Sequence, residues 1–176
     1  MIDQGKLAIV LGIEVDGLFR CKTNAGCTAQ HIASELQRYY NLGVRHIFPI
    51  HLFDNAFGGS AQYSTLFYLG NQLSTGSPVS LRDCSPDGYG YQHSVLDTVA
   101  LAFQAIVGQP FPAIPAGSAH CNSQGLTPLG ESTLQAMMNQ KFIIDVDHMS
   151  RIAADRALEI VWARGYPVAA GHTGFL

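Results

Sequence analysis

The chain has 176 residues, 47% of them hydrophobic and only 13% charged, with a formal net charge of −3 and no run of Lys or Arg. That length suits one domain with a real core rather than two, the composition excludes a disordered chain, and the charge offers no footprint for nucleic acid or an anionic membrane. No apolar stretch reaches the roughly 18–20 residues of a membrane helix, and the opening MIDQGK lacks the charged-then-apolar layout of a signal peptide, so neither signal nor anchor is read in the chain.

In chain order, residues 6–14, "KLAIVLGIE", form a continuous apolar run ending in a carboxylate, which predicts a strand buried on both faces. Cys21 and Cys27 bracket the loop KTNAG, a spacing open to a disulfide or to two free thiols. From Thr28, "TAQHIASELQRYYNLG" predicts a helix with Ile32, Leu36, Tyr39 and Tyr40 on one face and Gly43 at its C-terminal end. "VRHIFPIH", residues 44–51, is a second buried strand that again ends in a chemically useful residue.

Residues 52–126 are rich in Gly, Ser, Pro, Asn and Tyr and read as an irregular insertion or lid within a single domain. One strong helix is expected there, "SVLDTVALAFQAIVG", with Ser94 and Asp97 as a capping box and Val95, Val99, Phe103 and Ile106 at helical spacing. "HLFDNAFGG" places Asp54 and Asn55 just past the second strand. They could touch substrate or orient His51, although an Asx turn ended by Gly58 and Gly59 explains them as well.

Regularity returns at Thr127, an N-cap before Pro128, with Leu134, Met137 and Met138 as the buried stripe. The strand "KFIIDVD" follows, with Phe142 to Ile144 expected to fill the space under the helices. A helix then starts near Ser150, carries Leu158, Val161 and Trp162 inward, and ends at Gly165 before a last strand, "PVAAGH". Alternating strands and helices predict an α/β fold with a parallel sheet and right-handed crossovers, either doubly wound or a (β/α)8 TIM barrel. The first strand is followed by neither G-x-G-x-x-G nor a phosphate loop, which weighs against a nucleotide-binding version.

Glu14, His51, His148 and His172 each stand where a strand hands over to a loop. In a barrel those ends converge on one mouth, and a carboxylate with three imidazoles is a donor set for Zn2+ or a similar ion. Each has an ordinary alternative, as a helix cap or a hydrogen-bonded core histidine; four in register is harder to set aside. His31, His46, His93 and His120 read as solvated or core residues.

The wording of these segments, "AIVLGIE", "GVRHIFPIH", "LTPLGESTLQAMMNQKFIIDVDHMS" and "PVAAGH" in that order, resembles the membrane (renal) dipeptidase family of the amidohydrolase superfamily. The resemblance covers most of the chain outside residues 52–126, and "LT-x-x-G … D-x-x-H-x-S" is its most specific part. It implies a zinc-dependent hydrolase of small amides, above all dipeptides, whose nucleophile is a hydroxide bridging two zinc ions. Glu14 would bridge the ions, His148 and His172 would bind the second, and His51 would face substrate and hold the developing oxyanion. Asp145 would support the site from beneath, whereas Asp147 stands where the family has Ser.

The partners implied are a small-molecule peptide substrate and a second copy of the chain in a homo-oligomer, and the family suggests an exported or membrane-associated parent. No His-x-Asp pair for the first ion occurs in the sequence, and the family's late Asp and Arg would fall after Leu176. The expectation is therefore a partial barrel, roughly its third to sixth strands, with a long insertion after the second strand present. A non-catalytic remnant or binding module that keeps the barrel is the alternative function, and a complete smaller domain the alternative architecture.

Overall fold

The computed structural model describes residues 2–93 and 112–172, with Asp97, Ala102, Ala105, Ile106 and Gly108 between them. Four strands, β1 (Leu11–Ile13), β2 (Val44–Ile47), β5 (Ile143–Asp145) and β6 (Val168–Ala169), form one parallel sheet in the order β1-β2-β5-β6. β3 (Leu81–Asp83) and β4 (His120–Asn122) pair antiparallel in a separate two-stranded sheet. The α/β class and the parallel sheet agree with the sequence reading. Along this sheet the strands never depart from chain order.

Three helices connect the parallel strands, and their ends are set by the expected chemistry. Thr28 caps α1 (Ala29–Asn41) by accepting from His31 N, Thr127 caps α3 (Pro128–Asn139) by accepting from Gly130 N, and Ser150 caps α4 (Arg151–Trp162) by accepting from Ala153 N. Each such cap is worth about 1 kcal/mol relative to Ala. Beyond α1, Gly43 adopts φ 92°, a left-handed conformation that a Cβ would oppose.

The core lies between the sheet and these helices. Ile32 and Leu36 of α1, Leu134, Met137 and Met138 of α3, and Ala153, Ala157 and Val161 of α4 pack with Ile47, Ile50, Phe142 and Ile144. Fully burying a Leu, Ile, Met or Phe contributes roughly 1.5–3 kcal/mol, so this cluster dominates the fold's stability. Disulfides join Cys21 to Cys27 and Cys84 to Cys121, resolving the choice left open by the first spacing.

Several expectations of burial fail for a shared reason: among the described residues, no layer covers these side chains. Leu7, Ile9 and Val10 are 82%, 74% and 57% exposed and only Leu11–Ile13 of that run is strand, because among the described residues β1 has β2 on one side and no strand on the other. Trp162 is 85% exposed and Leu158 is partly exposed; α4 buries instead the small stripe Ala153, Ala157 and Val161, which brings its axis close to the core. Ile143 points away from the helices between buried Phe142 and Ile144, as strand alternation requires.

Residues 52–126 hold more order than expected. Besides β3 and β4 they contain α2 (Leu66–Thr75), where Gly70 faces the Phe53 ring at a distance no side chain would allow. The helix expected from Ser94, with Val95, Val99 and Phe103, lies for the most part outside the described residues. Within it, Asp97 is buried and accepts hydrogen bonds from Thr65 Oγ1 and Tyr91 Oη, both at 2.6 Å.

Candidate metal centre

The four strand-end residues singled out from the sequence meet at the carboxyl ends of the parallel strands. Glu14 follows β1 directly, His51 lies just beyond β2, His148 beyond β5 and His172 beyond β6. One oxygen, Glu14 Oε1, is 3.2 Å from His51 Nε2, 3.1 Å from His148 Nε2 and 3.2 Å from His172 Nε2. His148 Nε2 and His172 Nε2 are themselves 2.7 Å apart. Glu14, His148 and His172 form the compact donor set, and His51 approaches the same carboxylate from outside it.

These spacings can be compared with a metal polyhedron. Zinc–ligand bonds of about 2.0–2.1 Å imply donor–donor edges of roughly 3.3 Å in a tetrahedron. The Glu14–His148 and Glu14–His172 edges, 3.1 and 3.2 Å, come close to that, and the 2.7 Å His148–His172 edge is tighter. Two neutral imidazole nitrogens that close repel unless a proton or a cation lies between their lone pairs. The three donors therefore fit one small cation.

The imidazoles are held from behind. His51 Nδ1 is 2.9 Å from Asp16 Oδ1, which also accepts from Leu52 N. His172 Nδ1 is 3.1 Å from Asp147 Oδ2, which also accepts from His172 N. A carboxylate can only accept, so each holds the proton on Nδ1 and leaves the Nε2 lone pair turned toward Glu14, the arrangement that orients metal-binding histidines. Burial, then the neighbouring His51 and His172 imidazoles, pushes the His148 pKa below its ordinary value, with Glu14 opposing, a shift in the direction of the neutral ring that a metal ligand requires.

His148 carries a left-handed backbone, φ 65°, which a residue with a Cβ adopts only when its surroundings insist. The surroundings here are the segment Gly59–Ala61: Ala61 N donates to His148 O at 2.7 Å, Ser150 N donates to Gly59 O at 2.8 Å, and Ser60 bridges to Met149. Beneath the site, Asp145 is fully buried. Its Oδ2 lies 2.8 Å from His46 Nε2 and its Oδ1 accepts from Asp147 N.

Asp54 and Asn55 bond to nearby backbone and to Asn122. Asn55 Oδ1 accepts from Phe57 N and Gly58 N, the Asx turn, and its Nδ2 donates to Pro49 O. Asp54 accepts from Ser60 N and Asn122 Nδ2, and burial pushes its pKa up against those bonds. Sequence reasoning missed the roles of Asp16, Asp147 and Tyr63. Asp16 and Asp147 carried a signal, since Glu14/Asp16 and Asp145/Asp147 are i, i+2 pairs at strand ends, where alternate residues share a side.

A second grouping, Cys21, Cys27 and His31, is compact enough to suggest a metal, but both sulfurs are spent in a disulfide and His31 Nε2 lies 3.0 Å from Phe19 O. Of the remaining histidines, His93 meets Tyr68 Oη and His120 meets Pro115 O, ordinary partners as expected.

No protein-family model, curated protein or solved structure matches the chain. The functional reading therefore rests on the site itself.

Proposed function

We propose that the chain is a zinc-dependent hydrolase of small amides, above all dipeptides, with its site at the mouth of a partial (β/α)8 barrel. The observation that carries the reading is the convergence of His51, His148 and His172 on one Glu14 oxygen, with the His148 and His172 nitrogens at 2.7 Å. The unreversed strand order supports the barrel, because doubly wound sheets reverse at a switch point whereas barrel strands follow in sequence. The exposed apolar residues Leu7, Ile9 and Val10 beside β1 are the surface that further strands or a second copy would cover.

Glu14, His148 and His172 would hold the ion. When bound there, zinc would supply Lewis acidity and lower the pKa of water, the two kinds of help an unactivated amide needs. Asp147 fixes the direction of the His172 lone pair. His51 stands outside the donor set, with Asp16 at its Nδ1 and its Nε2 turned toward Glu14, where it would face the substrate oxygen that gains negative charge. A second reading, a non-catalytic barrel that retains one ion, is favoured by the three-residue size of the compact set, which suffices for one cation.

The test is zinc titration followed by a dipeptide panel. The unsubstituted chain is expected to bind at least one zinc and to release free amino acids, and Glu14→Gln to lose at least about 10-fold in zinc affinity together with hydrolysis. Zinc binding without turnover would favour the non-catalytic reading. Equal zinc affinity in the Gln variant would remove the proposed centre.

A further inference from the structure

Of the three histidines around Glu14, two have a carboxylate at Nδ1, and the third has a phenol. Tyr63 Oη lies 3.3 Å from His148 Nδ1. Tyr63 belongs to the insertion, far from His148 in sequence, and it lies two residues beyond Gly59–Ala61, whose backbone is held against residues 148–150. Its ring packs edge-on against Phe67 of α2, centroids 4.6 Å apart, which fixes the direction of the hydroxyl. Three imidazoles, three partners at Nδ1 and three Nε2 atoms turned to one oxygen make a single pattern.

We propose that Tyr63 is a positioning residue of the metal centre, acting through His148 to present its Nε2 lone pair to the ion. The inference rests on the proposed zinc site and adds to it a residue from the insertion. A phenol suits this place better than a carboxylate would. His172 keeps its proton on Nδ1 against Asp147, so in the ion-free site the proton in the 2.7 Å gap belongs to His148 Nε2, and His148 Nδ1 must then accept. When an ion takes that gap, the His148 proton must sit on Nδ1, which must then donate. Tyr63 Oη can donate in the first case and accept in the second; Asp or Glu could do only the second.

The insertion thus has a defined task at the site. Its first segment supports the left-handed backbone of His148 through Ala61 N, and its Tyr63 sets the tautomer of the same ring. Loss of such an outer partner typically lowers metal affinity 10- to 100-fold.

The experiment compares the unsubstituted chain, Tyr63→Phe and Tyr63→Leu. Zinc affinity is measured by competition with a chromophoric chelator, and the His148 tautomer by imidazole 15N shifts with and without zinc. Tyr63→Phe keeps the ring against Phe67 and removes only the hydroxyl. It is expected to lose about 10-fold or more in zinc affinity and to shift the ion-free His148 ring away from its Nε2–H form, with an unchanged melting temperature. Tyr63→Leu should match it in affinity. A Phe variant with unchanged affinity and unchanged 15N shifts overturns the proposal. Should the unsubstituted chain bind no zinc, the proposed function fails, and the ion-free 15N comparison still decides whether Tyr63 orients His148.

Discussion

Asp145 is the residue on which the site's geometry most depends without belonging to it. Its side chain is fully buried at the end of β5, and it accepts from Asp147 N at 2.9 Å and faces His46 Nε2 at 2.8 Å. Replacing it by Ala removes both bonds, one of them to the buried Asp147. Bonds to a charged acceptor are worth about 1.5–3 kcal/mol each, which sets a loss of roughly 3–5 kcal/mol after relaxation. For a chain of this size, that lowers the melting temperature by roughly 6–20 °C.

Asp145→Asn separates the two bonds. The amide oxygen can keep Asp147 N, while its NH2 meets His46 Nε2, which can accept by changing tautomer; the loss should be only about 1–2 kcal/mol. Urea denaturation at pH 7.5 measures both variants, and zinc titration follows Asp147, whose carboxylate holds His172. An Ala variant within about 1 kcal/mol of the parent would refute the support role. So would an Asn variant as damaged as Ala.

Two further outcomes follow from packing and charge. A Cβ at Gly130 would be driven into the Phe57 carbonyl, so Gly130→Ala should cost about 1–3 kcal/mol by pushing α3 off the Asn55–Gly58 turn, and an unchanged thermal melt would show that this contact is not tight. The pKa values of His93 and His148 are both depressed, by burial first and then by neighbouring imidazoles. The unfolded chain binds these protons near pH 6.5 and the folded chain only below it, so stability is full above about pH 6.5 and falls as pH drops through the folded values. Ion-free protein should accordingly melt at a lower temperature at pH 5.5 than at 7.5, and His93→Gln should flatten the difference; a flat or inverted profile in the parent would contradict it.

What the sequence disclosed and what it hid differ by the range of the forces involved. Thr127 was legible as a cap, and Thr28 and Ser150 as helix starts, because a cap is satisfied within three residues of its own helix. The stripes Ile32/Leu36 and Leu134/Met137/Met138 were legible because helical period alone selects a face. Leu7, Ile9 and Trp162 were misplaced because burial needs a partner layer, and hydrophobicity does not say whether one is there. The pairing of β3 with β4 and the short helix α2 were missed among Gly, Ser and Asn, since Gly70 is explained only by the distant Phe53 ring.

The site divides along the same line. Glu14, His51, His148 and His172 could be found because a parallel sheet turns a one-dimensional fact, the last residues of each strand, into a three-dimensional cluster. Their partners follow a different logic. Asp16 and Asp147 lie two residues from Glu14 and Asp145, close enough to share a strand end, but which imidazole each would hold depends on the sheet register and could not be read in advance. Tyr63 had no local signal at all: it reaches His148 across 85 positions, through a segment whose composition suggested only a loop. A donor set can thus be inherited from strand order alone, whereas its tuning is written in contacts that only folding brings together.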